Sequence, residues 1–133
     1  DQDLKPIRKV ASGGELSRIS LAIQVATSRS SEIPTLVFDE VDTGIGGPTA
    51  ATVCRYLKTL ASHRQLLSIT HLAQVASGGD QHLFVGKQVA DGITETSLTC
   101  LGDEQRIDEI ARMLGGETIT ENSRAHAREL LLA

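Results

Sequence analysis

The stretch VASGGELSRISLAIQVATSRSSEIPTLVFDE, residues 10–40, carries most of what the sequence says about fold. It opens on Ser12-Gly13-Gly14 and continues with apolar residues at Leu16, Ile19, Ile23 and Ala26, a spacing that predicts a helix from about Gly14 to Arg29. Ser12 followed by Glu15 is the pattern of a capping box at its start. Pro34 disfavours a helical residue before it, so the helix ends upstream. TLVFDE then reads as a short buried parallel strand leaving through two acids.

Strands and helices continue to alternate beyond this stretch. GIGG at 44–47 is a turn, and Pro48 suits the first turn of a helix over about 48–62. LLSIT (66–70) is a second buried strand, and HLAQVAS after it is a short helix or turn. QHLFVGK and TETSLTCL form two further strands around a turn at Asp91-Gly92. Helices over about 103–114 and 121–132 close the chain, with Gly115-Gly116 between them. The pattern predicts an α/β fold with a mostly parallel sheet and flanking helices. One near-repeat is a warning: ASGGE at 11–15 opens a helix, whereas ASGGD at 76–80 leads into a strand. Ser-Gly-Gly by itself therefore decides nothing.

Composition narrows the function classes. The 133 residues fit one domain. Apolar residues make up 40% and charged residues 23%, as in ordinary soluble proteins. Aromatic residues are only 2%, so aliphatic side chains must fill the core and stacking platforms for single-stranded nucleic acid are few. The net charge is −4, without the basic footprint of a domain that grips DNA through its own surface. Cys54 and Cys100 have no metal-ligand spacing and read as reduced core thiols of a cytoplasmic protein. No apolar run approaches a membrane span, and no signal peptide is expected. The opening at Asp1 without Met, close upstream of a motif, is expected of a fragment of a longer polypeptide.

Three places can carry chemistry. Asp39 and Glu40 stand at the carboxyl end of a parallel strand, where ligands bind in open α/β sheets. One carboxylate there can hold Mg²⁺ and the next can orient or deprotonate a water, although solvated acids at a strand exit look the same. His71 follows the second strand and can reach a phosphate oxygen or cap the turn it begins. Ser12-Gly13-Gly14 places free N–H groups at a helix start, suited to an anion, and equally suits a plain capped helix. No lysine completes a P-loop at this turn.

In this order the three features resemble the C-terminal half of an ATP-binding-cassette head: signature motif, Walker B, D-loop and switch histidine. The residues after the Walker B acids, DEVD rather than Asp-Glu-Pro, resemble the SMC-type branch. The strings VASGGELSRISLAIQV, VFDEVDTGIGGPTAATV, THLAQVAS, IARMLGG and ARELL are similar to the RecN family of bacterial DNA repair proteins along nearly the whole chain. The resemblance implies an ATPase head that works with ATP and Mg²⁺. Asp39 would hold the Mg²⁺, Glu40 would be the catalytic base, and His71 would be the switch residue near the γ-phosphate. Ser12, Gly13 and Gly14 would contact ATP on the opposing head of a homodimer, and Asp42 would belong to the nucleotide site as part of DEVD.

Two departures stand out. Glu15 replaces the usual Gln, and Gly46 stands where a D-loop ends in Asp. Walker A, the Q-loop and a coiled coil would lie upstream, so this chain alone is expected to be inactive. Its parent would act in recombinational repair of double-strand breaks, cytoplasmic and nucleoid-associated, with DNA bound through the parent. The competing readings are a transporter's nucleotide-binding subunit and a non-enzymatic dimerisation module.

Overall fold

A computed structural model of the chain describes residues 11–27, 33–90, 93–115 and 118–132. The chain divides into two compact units, Asp1–Val75 and Ala76–Ala133. The first runs α1 (Gly13–Ala26), β1 (Thr35–Phe38), α2 (Gly47–Ala61), β2 (Gln65–Ser68) and α3 (Ala73–Ala76), the last reaching just past the boundary. The second contains β3 (Leu83–Ala90), β4 (Ile93–Cys100), α4 (Asp103–Met113) and α5 (Glu121–Leu132).

The α/β class holds, and the expectation of one mostly parallel sheet needs correction. Among the described residues there are two separate two-stranded sheets. β1 and β2 are parallel, in register from Thr35 opposite Gln65 to Phe38 opposite Ser68. β3 and β4 are antiparallel, from Leu83 opposite Cys100 to Ala90 opposite Ile93. Connection length sets both outcomes. A whole helix, α2, joins β1 to β2 and allows a parallel return, whereas β3 and β4 are too close in sequence for anything but a hairpin. The turn expected at Asp91-Gly92 lies outside the described residues, as does Arg29 at the expected end of α1.

In the first unit the core is aliphatic apart from one ring. Leu21, Phe38, Val41, Ala50, Val53, Leu57, Leu60 and Val75 cluster, with Val25, Leu36, Ile45, Leu66 and Leu72 packed against them. α2 contributes Ala50, Val53, Leu57 and Leu60, one stripe at helical spacing. α1 turns Gly14 and Leu21 inward instead. Its Leu16, Ile19 and Ile23, the residues that mark the helix in sequence, are exposed. The β1–β2 sheet is also one-sided: Leu36, Phe38 and Leu66 face the core, while Val37 is 63% exposed and Leu67 opposite it 44%. Parallel strands are ordinarily covered on both faces, and here one face of the pair is open.

In the second unit Ile110 and Ala111 of α4 and Ala127 of α5 are buried. Arg124 of α5 joins the two helices by bonding Asp108 and Glu104 of α4. Arg106 donates to the carbonyls of Ser77 and Gly79. The second Ser-Gly-Gly thus closes a turn after α3, whereas the first opens α1. Leu60 is 1% exposed at the centre of the first unit's core. Leu60→Ala is expected to lower unfolding stability by about 2–5 kcal/mol, measured as the shift in a urea transition.

Candidate functional site

The site forms where β1 ends. Phe38 is the last strand residue, and Glu40 follows with φ of 57°, a left-handed conformation that non-glycine residues seldom adopt. Such a conformation costs about 1–3 kcal/mol and persists only when surroundings impose it. Here α1 supplies the restraints. The Ser17 hydroxyl donates to the Asp39 carbonyl at 2.7 Å. The Arg18 guanidinium donates to the carbonyls of Thr43 at 2.9 Å and Val41 at 3.4 Å. The loop also closes on itself through Thr43 N–H to Glu40 C=O at 3.1 Å. Strand alternation has ended by this point, so consecutive acids are free to serve one site.

They do so. Asp39, Glu40, Asp42, Thr43, Ile69, Thr70 and His71 line one open groove of about 230 Å³. Residues 69–71 arrive because β2 is parallel to β1 and leaves the sheet at the same edge, with the Ile69 N–H bonded to the Phe38 carbonyl at 2.9 Å. His71 is 67% exposed at the side chain and presents its ring at the rim.

Asp42 is placed differently from its neighbours. Its side chain is only 1% exposed, and Oδ2 accepts from the Thr70 hydroxyl, the His71 N–H at 3.2 Å and the Leu72 N–H at 3.3 Å. The expectation that Asp42 contacts a nucleotide therefore meets a carboxylate already bound by its own chain. Sequence reading missed this second loop contact, and Thr70 next to His71 is the signal that was available.

Ser12, Gly13 and Gly14 do not line the groove, but Gly13 and Gly14 stand against the loop at Glu40 and Thr43. A Cβ on Gly13 would stand 2.5 Å from Glu40 Oε2, and one on Gly14 would stand 3.0 Å from the carbonyls of Glu40 and Thr43. The glycines allow the first turn of α1 to lie directly against the loop. Glu15 completes the capping box: its Oε2 accepts the Ser12 N–H at 2.7 Å, and the Ser12 hydroxyl accepts the Glu15 N–H at 3.3 Å. Hydrogen bonding of the Glu15 carboxyl to the Ser12 backbone N–H, and secondarily to the Ser12 side chain, holds it below its usual range. Gly46, in place of a D-loop Asp, is the extended N-cap of α2.

The donor set suits Mg²⁺ rather than a protein-caged ion. Among the described residues no group of three or more His, Cys, Asp or Glu could hold a metal. Mg²⁺ is commonly held by one or two carboxylates with water and substrate phosphates, and Asp39 and Glu40 on an open groove match that need. Among the described residues no helix is long and apolar enough to cross a membrane.

The fold is similar to that of a solved SMC ATPase structure. A solved structure concerned with ATP-driven dimerization and DNA-stimulated activation of SMC ATPases superposes with a TM-score of 0.56 at 21% identity, covering 88% of this chain and 70% of that one. No protein-family model matches the chain. The DNA repair protein RecN of Vibrio cholerae is 58% identical over 132 residues, 99% of this chain and 24% of that protein. RecN of Haemophilus influenzae is 52% identical over 98% of this chain and 23% of its own length, and RecN of Bacillus subtilis 42% over 98% and 23%. The chain is thus similar to RecN proteins over nearly its whole length, and it spans about a quarter of the length of these relatives.

Three outcomes test this geometry. Gly14→Ala forces a methyl against two backbone carbonyls and is expected to destabilise the chain by about 1–3 kcal/mol in urea unfolding. Gly13→Ala meets only the mobile end of Glu40 and should leave stability within about 0.5 kcal/mol. An NMR titration should place the Glu15 midpoint below 4.5, its ordinary value. The folded value is depressed, so the cap's contribution is complete above the unfolded pKa and is lost as pH falls through the folded one.

Proposed function

We propose that this chain is the C-terminal part of the ATPase head of a RecN-like protein acting in recombinational repair of DNA double-strand breaks. The observation that carries the reading is the gathering of Asp39, Glu40 and His71 on one groove at the carboxyl ends of two parallel strands. RecN relatives aligned over almost the whole chain support it, and they leave the transporter reading without support.

In this reading Asp39 holds Mg²⁺, which supplies charge neutralisation on the phosphates when bound. A Glu40 carboxylate oxygen accepts the proton of the attacking water. His71, at the rim, offers a ring nitrogen to a phosphate oxygen. The N–H groups of Gly13 and Gly14, with the Ser12 hydroxyl, face a phosphate held by a second head. ATP lies between two heads, its binding favours their engagement, and hydrolysis releases them; the coupling equals the difference in affinity of the two states for ATP.

The open β1–β2 face and the exposed α1 stripe are where the Walker A lobe and neighbouring segments pack. The chain carries no G-x-x-x-x-G-K-[ST] loop, so alone it is inactive. DNA is bound elsewhere in the parent, since this segment has a net charge of −4.

The test mixes this chain with a separately expressed segment bearing Walker A and measures Mg²⁺-dependent ATP turnover. Turnover is expected only with both pieces, and Glu40→Gln should reduce it by about 10²–10⁴-fold. Association of the pieces without Glu40-dependent turnover would overturn the reading in favour of a dimerisation module.

A further inference from the structure

The geometry points to Asp42 as a positioning residue for His71: its buried carboxylate clamps residues 70–72 through Oδ2 and turns the imidazole Nδ1 inward through Oδ1, leaving Nε2 as the end offered to the groove. The clamp consists of three donors on one oxygen, the Thr70 hydroxyl and the backbone N–H groups of His71 and Leu72. The other oxygen, Oδ1, is buried without a hydrogen-bond partner, and the nearest cation-forming group is His71 Nδ1 at 3.7 Å. A buried carboxylate oxygen without a donor is costly, and a small rotation of the imidazole brings Nδ1–H to it.

The two oxygens have separable jobs. Oδ2 sets the backbone path that carries His71 from β2 to the rim. Oδ1 selects the tautomer, because an imidazole that donates from Nδ1 keeps Nε2 for the opposite partner. The clamp also joins the loop that carries Asp39 and Glu40 to the loop that carries His71. The sequence spacing of 29 residues between Asp42 and His71 hides this link. The effect of Asp42 on catalysis rests on the ATPase reading; the clamp and the tautomer do not.

The first arm of the test is ¹⁵N NMR of the imidazoles of this chain at about pH 8, where histidine is ordinarily neutral. Wild-type His71 is expected as the Nδ1–H tautomer. Asp42→Asn keeps an acceptor for the three donors but presents an NH₂ group to Nδ1, so His71 should invert to Nε2–H. A wild-type chain with the Nε2–H tautomer overturns the proposal without recourse to any variant, and so does identical His71 nitrogen shifts in wild type and Asp42→Asn.

The second arm is turnover in the assembled head. Asp42→Asn is expected to lower kcat about tenfold with KM for ATP nearly unchanged, a loss typical of removing an orienting partner. In a His71→Ala background the same substitution should change kcat by less than about twofold, because coupled residues are not additive. An equal loss in both backgrounds assigns Asp42 a general structural role and overturns the proposal. If the assembled head has no turnover at all, the ATPase reading fails while the NMR arm still decides the clamp.

Discussion

A buried carboxylate organises the functional edge of this chain. Asp42 lies within the wall of the first unit, where an unpaired charge would be untenable, and the structure answers with three donors from a single tripeptide, Thr70-His71-Leu72. Those donors are available only if β2 runs parallel to β1 and ends at the same edge. The parallel register from Thr35 opposite Gln65 to Phe38 opposite Ser68 delivers that, and the α2 crossover makes the register reachable. Topology and buried charge thus require each other.

The same loop is held from its other side by α1. Ser17 and Arg18 bond its carbonyls, and the two glycines let the helix start come close enough for those bonds to form. Glu40 is consequently held in a left-handed backbone conformation by neighbours that are themselves fixed. One short loop therefore connects the start of α1, the acids Asp39 and Glu40, and the loop that carries His71.

The first unit leaves apolar side chains exposed on two of its elements. Leu16, Ile19 and Ile23 form an exposed stripe on α1, and Val37, Leu67 and Ile69 are exposed on or beside the sheet. Apolar residues at regular spacing on both a helix and a parallel sheet are residues for packing, and the relatives are about four times as long as this chain. The stripe on α1 shows how periodicity can be right about an element and silent about its environment. It marks the helix correctly, yet the side facing this unit's core is the Gly14 and Leu21 side.

The sequence by itself determined the type and order of most local elements: the capping box at Ser12 and Glu15, the short strand just before Asp39 and Glu40, the proline-started α2 and the two closing helices. These follow from short-range rules of period, capping and turn chemistry, which act within a few residues. It also brought Asp39, Glu40 and His71 forward as candidates, because acids and histidines at strand exits have a recognisable chemistry. Only the tertiary structure decided that the strands divide into two small sheets and that Glu40 departs from ordinary backbone geometry. It alone showed that Asp42 turns inward to hold the histidine loop. The outcomes at Glu40 and Asp42 depend on hydrogen bonds between residues more than twenty positions apart, whose partners are chosen by the closed fold rather than by their neighbours in the chain.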